Sequence, residues 1–224
     1  MKQIEIKKDI LSAHEMLAQE NRELFERKGT FVLNLMSSPG AGKTTLLERT
    51  IELLKDTFSL AVIEGDIATS YDAERISSLG VKVVQINTGG ACHLDSAMIK
   101  NALAEFSADR LDVLIIENVG NLVCPAEFNL GEDAKVMILS VTEGEDKPFK
   151  YPLMFRIARV LIINKVDLLP YIDCSTKRII RDAISLNPDL KIFEMSCTKK
   201  IGLNLWKEWL KEEINKKKYK IIAR

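Results

Sequence analysis

The sequence predicts a single α/β domain, in which a mostly parallel central sheet of about seven strands is flanked by helices and preceded by one N-terminal helix. Three observations carry this. Apolar, β-branched runs alternate with helical stretches along the chain; the first run enters a glycine-rich turn that opens a helix; and 224 residues with 46% hydrophobic content suffice to bury one sizeable core. Alternation of this kind is what parallel β-α units require, because each parallel strand is reached through a crossover connection.

Taken in order, residues 9–28 read as an amphipathic helix, with Ile10, Leu11, Met16, Leu17 and Leu24 near helical spacing. Residues 1–29 are therefore expected to pack as a helix on a nucleotide-binding domain formed by residues 30–224. Strands are expected near 31–36, 60–64, 81–86, 111–117, 135–141, 159–163 and 190–195, with helices between them. Glu143 to Pro152 is the main irregular segment, and no internal repeat or low-complexity tract is evident. Ligands of such sheets bind at the carboxyl ends of the strands, so the loops there hold the candidate chemistry.

The first strand runs into Ser37-Ser38-Pro39-Gly40-Ala41-Gly42-Lys43-Thr44-Thr45 and then a helical pattern. Gly40 and Gly42 let the loop amides, Ala41 among them, turn inward around a β-phosphate; Lys43 bridges the outer phosphates, and the Thr44 hydroxyl can ligate Mg²⁺ with Thr45 next in the helix. Ser37 stands where this pattern has its first glycine, which raises the question of a side chain in a tight turn.

A second motif selects the base. After Val160 to Ile163 comes Asn164-Lys165-Val166-Asp167, and a carboxylate at Asp167 can accept both N1–H and the exocyclic amine of guanine. Adenine offers no matching donor pair, and a half-satisfied buried carboxylate costs about 1–3 kcal/mol, so the pairing discriminates between bases. Taken alone, these four residues also fit a strand end with a solvated Asp; the phosphate loop upstream favours GTP and GDP. Ser196 and Cys197, after a further strand, are expected to close over the base.

Glu117-Asn118-Val119-Gly120 follows another strand as an acid-x-x-Gly turn. In guanine-nucleotide switches the glycine N–H of this turn meets the γ-phosphate, which gives Gly120 its expected role, and Glu117 stands where Asp is usual. Glu117 is assigned to the Mg²⁺ shell or its waters, a plain polar strand end being the alternative. Asp66 is the other candidate for Mg²⁺ and for placing the attacking water, with Asp72 as substitute. No strong general base is apparent, so catalysis by Lys43, Mg²⁺ and loop amides predicts slow hydrolysis of GTP to GDP and phosphate. Lys147, in the irregular segment after the 135–141 strand, lies at the sheet end where the phosphates are expected.

Cys92-His93 and Cys124 supply three nitrogen and sulfur donors. Adjacent side chains on a strand diverge, so Cys92 and His93 converge only on a turn, which Gly89-Gly90 permits. Such a set suits Zn²⁺ with an external fourth ligand, or square-planar Ni²⁺. Small buried cysteines and an ordinary histidine are the alternative reading.

Ser38 to Thr44, Glu64-Gly65-Asp66, Cys92-His93-Leu94-Asp95, Glu117 to Pro125 and Asn164 to Asp167 together resemble the HypB family of hydrogenase maturation GTPases, collinearly over nearly the whole chain. The Cys-His pair separates the chain from the related urease accessory GTPases, whose metal motif is Cys-Pro-His. The resemblance implies a nickel-delivering GTPase for [NiFe]-hydrogenase assembly that forms a homodimer when GTP binds. It implies Cys92, His93 and Cys124 as Ni²⁺ or Zn²⁺ ligands at or near the dimer interface, and a HypA-type nickel chaperone and a hydrogenase large-subunit precursor as partners. In dimerising GTPases of this class, Lys147 is expected to approach the nucleotide of the other subunit. The chain departs from many members in having no cysteine and only His14 between Met1 and Gly29, so no high-affinity N-terminal nickel site is expected.

A formal net charge of zero argues against electrostatically driven nucleic-acid binding. Four cysteines without framework spacing, no secretory signal and no membrane-length apolar run point to a reducing cytoplasm. Two rival classes use part of the same signature. A small-molecule kinase has no use for Asn164 to Asp167, and a protein-only guanine-nucleotide switch would tolerate loss of Cys92 and Cys124.

Overall fold

The computed structural model describes residues 6–66, 71–106 and 110–222, with backbone alone for 6–12 and 221–222. Its elements run α1 (Ile6–Lys28), β1 (Phe31–Ser37), α2 (Lys43–Leu54), β2 (Leu60–Asp66), α3 (Tyr71–Ser77), β3 (Lys82–Asn87), α4 (Ser96–Leu103), β4 (Val113–Glu117), α5 (Cys124–Glu127), β5 (Ala134–Ser140), α6 (Lys147–Lys150), α7 (Pro152–Ile157), β6 (Val160–Asn164), α8 (Thr176–Leu186), β7 (Lys191–Glu194) and α9 (Leu203–Ile222). All seven strands pair in parallel in the order β3-β2-β4-β1-β5-β6-β7. Each expected strand is present, shifted at its ends by a residue or two. The expected irregular segment instead contains one short helix, α6, and leads at Pro152 into a second, α7, each with proline in its first turn.

Every residue of β1 is buried, as a central parallel strand covered on both faces requires. Leu33 and Leu35 face α2 and α9, together with Ile115, Val136, Ile138, Ile162 and Trp206. The opposite face divides into two groups. Met36, Met137, Leu139 and Leu161 pack with Phe155 and Ile179 of α7 and α8, while Val32, Ile63, Leu114 and Ile116 pack with Phe25 of α1 and Ile99 of α4. Trp206 is fully buried, and its indole N–H finds a partner in the Thr50 hydroxyl at 2.9 Å.

The N-terminal helix departs from its predicted face. Its buried line is Ala18, Asn21 and Phe25, whereas Met16 is 68% exposed, Leu17 and Leu24 are half-buried, and Ile10 and Leu11 lie outside the described side chains. A small and a polar residue carry no hydrophobic signal, so the stripe read from sequence misses the contact. Asn21 anchors the helix by donating to the carbonyls of Ser96 at 2.9 Å and Leu130 at 3.2 Å. Gly131 permits the approach: it has φ +92°, and a Cβ there would stand 2.7 Å from the Ala18 carbonyl oxygen.

Asn21→Ala leaves two buried carbonyls without their donor, and is expected to lower stability by about 1–3 kcal/mol. A fall in the urea midpoint checks this; an unchanged midpoint contradicts the anchoring role.

Candidate nucleotide and metal site

The phosphate loop joins β1 to α2. Gly40 and Gly42 have φ of 75° and 103°, the left-handed region that glycine occupies without steric penalty. At Gly42 a Cβ would also meet Asn164 Nδ2 at 2.5 Å, so glycine is required there twice over. Ser37 belongs to β1 and is not among the positive-φ residues, which removes the question raised by the missing first glycine. Its hydroxyl donates to the Ser38 carbonyl at 2.6 Å and accepts from Lys43 Nζ at 3.2 Å. The Ser38 hydroxyl in turn donates to the Glu143 carboxylate.

Asn164 and Lys165 brace this loop from the side. Asn164 Nδ2 donates to the Ala41 carbonyl at 2.9 Å, its Oδ1 accepts the Cys197 N–H at 3.2 Å, and Lys165, itself left-handed at φ 64°, donates to the Gly40 carbonyl at 2.7 Å. Asp167 is half-buried in the first turn of a 3₁₀ segment, Val166–Tyr171. Ser196 is bridged to Ile201, and its hydroxyl accepts the Lys199 N–H at 3.1 Å. The Cys197 thiol lies in the core 3.9 Å from Met195 Sδ, and burial pushes it up to about 11, so this residue meets the loop through its backbone. Thr45 is half-buried in the first turn of α2.

Behind the phosphate loop lies a cluster of acids. The Thr44 hydroxyl donates to Glu117 Oε1 at 2.8 Å, and Glu117 Oε2 is buried without a hydrogen-bond partner. Glu64 stands opposite Glu117 in the β2–β4 register and likewise has a buried, unpartnered Oε2. Burial pushes the Glu117 carboxyl to about 7; burial, then the neighbouring Glu117 charge, pushes Glu64 to about 8. Burial also draws the Lys43 ammonium below the usual lysine range, against the pull of Glu117, Asp72, Glu64 and Glu143. Asp66 ends β2 half-buried, and Asp72, in the first turn of α3, accepts from Arg75 at 3.0 Å. A hydroxyl and orphaned carboxylate oxygens form a hard oxygen donor set that fits Mg²⁺. Glu64 had no role in the sequence reasoning, although a carboxylate interrupting the apolar β2 run was a visible signal.

The turn after β4 rests directly on the phosphate loop: a Cβ on Gly120 would lie 3.1 to 3.3 Å from Pro39 atoms. Beyond it, the structure brings Cys92, His93 and Cys124 together. Their ligand atoms lie within 4.8 Å of one another, with Cys92 Sγ 3.0 Å from Cys124 Sγ and 3.7 Å from His93 Nδ1, and both thiols are free. All three residues are half-buried. The hydrogen bond to Cys92 holds the Cys124 thiol above its usual range, while burial lowers His93 and so favours the neutral, ligating imidazole. The His93 ring stacks on Phe128 at 3.9 Å, and His14 of α1 meets the same ring edge-on at 5.8 Å. Phe128 had no sequence signal. Asn118 and Asn121, hydrogen-bonded to Leu94 and Cys92, were quoted in the sequence without a role.

Lys147 is the first residue of α6, 5.7 Å from the Tyr151 ring. The neighbouring carboxylate Glu145 is held by Arg178 and by the Ser175 N–H. No helix among the described residues is long and apolar enough to cross a membrane.

Comparison with known proteins adds a lineage to this geometry. Residues 31–194 match the family model described as CobW/HypB/UreG, nucleotide-binding domain. The chain is 52% identical over 207 residues to hydrogenase maturation factor HypB of Rhizobium leguminosarum bv. viciae, covering 92% of this chain and 69% of that relative. HypB from Helicobacter pylori, crystallised in complex with nickel, has a TM-score of 0.86 at 41% identity, covering 91% of this chain and 96% of that one. HypB from Archaeoglobus fulgidus has a TM-score of 0.85 at 40% identity, with coverage of 91% and 99%. With a family model spanning most of the chain, a relative 52% identical over 92% of it, and two solved structures matched almost end to end, this chain belongs to the CobW/HypB/UreG nucleotide-binding family and, within it, to the HypB hydrogenase maturation factors.

Proposed function

We propose that this chain is a slow GTPase that binds Ni²⁺ or Zn²⁺ as cargo and uses the nucleotide cycle, with GTP-dependent homodimerisation, to control its release during [NiFe]-hydrogenase maturation. The single observation that carries the reading is the meeting of Cys92, His93 and Cys124 within 4.8 Å, with Cys124 following the turn whose Gly120 rests against the phosphate loop. The nickel named for the Helicobacter pylori relative supports the cargo assignment. Free cysteines at this position fit a reducing cytoplasm, where a HypA-type chaperone and the hydrogenase large-subunit precursor would be the metal donor and acceptor.

In this reading the loop amides of Gly40 to Thr44 and the Lys43 ammonium hold the β- and γ-phosphates, and Asp167 reads guanine, with the 196–198 loop closing over the base. Thr44, Asp66 and Glu117 would hold Mg²⁺ directly or through water, and the ion, when bound, neutralises charge developing on the phosphates. Asp66 orients the attacking water. The Gly120 N–H meets the γ-phosphate, and Lys147 adds positive charge toward the nucleotide of the second subunit. Two thiolates and a neutral imidazole accept either Ni²⁺ or Zn²⁺.

Lys43→Ala is expected to abolish GTP hydrolysis and weaken nucleotide binding at least about 100-fold, and Lys147→Ala to reduce GTP-dependent dimerisation and hydrolysis together. Wild-type turnover in the first variant refutes the site, and unchanged dimerisation and turnover in the second refute the role of Lys147. Calorimetric titration with Ni²⁺ should lose its binding isotherm in Cys92→Ala and Cys124→Ala. For the wild type, affinity should fall as pH is lowered, because metallation displaces thiol protons; a pH-independent affinity contradicts thiolate ligation.

The raised Glu64 carboxyl gives a separate expectation for nucleotide-free protein. Its folded value of about 8 exceeds the ordinary 4.5, so the contribution of this group is fully present below pH 4.5 and is lost as pH rises toward 8. Glu64→Gln should therefore leave the melting temperature near pH 4.5 almost unchanged and raise it at pH 8 by about 2 °C or more. An equal effect at both pH values would show that the carboxyl is not protonated on folding.

A further inference from the structure

The two loops that supply the metal ligands are joined by one buried carboxamide. Asn118 is 1% exposed, and its Oδ1 accepts two backbone hydrogen bonds, from Leu94 N–H and Val119 N–H, each at 3.0 Å. Two amide donors converging on one atom fix which way the side chain is turned, since the NH₂ end accepts nothing. Its Nδ2 donates to Asn34 Oδ1 at 3.2 Å, and Asn34 Nδ2 donates to Glu132 at 3.1 Å, so the carboxamide is held from behind by the core of β1. Val119 precedes Gly120, which rests on Pro39. Leu94 follows His93, and its side chain is seated on Gly65, where a Cβ would stand 2.7 Å away.

Asn121 makes the same connection a second time. Its Nδ2 donates to the Cys92 carbonyl at 3.3 Å, and its Oδ1 accepts the Val123 N–H, next to Cys124, at 2.8 Å. The Cys92 carbonyl and the Leu94 N–H, on either side of His93, are thus tied to the turn that abuts the phosphate loop and leads to Cys124.

We propose that Asn118, seconded by Asn121, is the positioning residue that conveys the nucleotide state to the metal centre. The inference rests on the function proposed above, and specifies how Cys92 and His93, which lie in a different loop from Gly120, respond when a γ-phosphate orders that glycine. Movement of Gly120 toward a γ-phosphate turns the backbone at Val119, and so alters the Val119 N–H bond, one of the two to Asn118 Oδ1. The shared acceptor passes the change to Leu94 N–H, and so to the segment that carries His93 and Cys92. Without the two carboxamides, the γ-phosphate reaches Cys124 alone.

The test is Ni²⁺ titration by calorimetry of full-length protein loaded with GDP or with a non-hydrolysable GTP analogue, at fixed pH, for the wild type, Asn118→Ala and Asn121→Ala. The wild-type affinities are expected to differ at least about fivefold between the two nucleotides, and the difference to shrink below about twofold in Asn118→Ala. A purely structural defect would weaken both nucleotide states alike and leave their ratio unchanged. If Asn118→Ala does not fold, the partly exposed Asn121→Ala carries the test, with the ratio expected to fall by at least about half. A wild-type ratio of one overturns the functional reading and this inference with it. A coupled wild type whose ratio persists in a folded Asn118→Ala, or in Asn121→Ala where the first variant does not fold, overturns this inference alone.

Discussion

The register of the parallel sheet is the constraint on which the rest of the molecule depends. Pairing of Leu35 with Glu117, and of Glu64 with Glu117, brings the carboxyl ends of β1, β2 and β4 level. The phosphate loop, the Glu64 to Asp66 acids and the turn from Glu117 to Cys124 then emerge at one rim. Shifting β4 by one residue would turn Glu117 to the other face of the sheet, because side chains alternate along a strand. It would also withdraw the Thr44 hydroxyl bond and lift Gly120 from Pro39.

That alignment places like charges where water is scarce. Glu64 and Glu117 are both buried, each has an oxygen without a hydrogen-bond partner, and each titrates well above a free carboxylate. A core built only for stability would have apolar side chains there, since an unsatisfied buried acceptor is unfavourable. The acids make sense beside Lys43 and Thr44 as a place prepared for a cation and phosphates, whose charges complete the missing interactions.

The metal-ligand cluster is assembled by different means. Its three residues come from two loops, and the backbone between them is tied by asparagine side chains. Asparagine suits this work because one carboxamide accepts and donates at once without introducing a charge. Stacking on Phe128 fixes the His93 ring plane, and burial favours the neutral imidazole, which is the form that ligates a metal. The N-terminal helix reaches the same aromatic ring through His14, so the helix and the metal-ligand cluster share a contact.

Much of this was legible in the linear sequence, because the signals are local. Apolar runs of β-branched residues mark all seven strands, and Gly40 and Gly42 mark a backbone that must turn with positive φ. The ligand trio could be named but not joined, since Cys92 and Cys124 lie in separate loops and only the fold sets their sulfurs 3.0 Å apart. The docking face of α1 was misread because Ala18 and Asn21, not Met16, meet the domain; a contact made by a small side chain and an amide leaves no mark in hydrophobic periodicity. Glu64, Asn118 and Phe128 acquire their roles only from neighbours distant in the chain. Sequence by itself determined the strands, the turns and which donor groups each loop carries, which depend on residue type and short spacing. Tertiary structure decided which acids lose water and which loops are tied together, because burial and long-range hydrogen bonds exist only once the sheet has set its register.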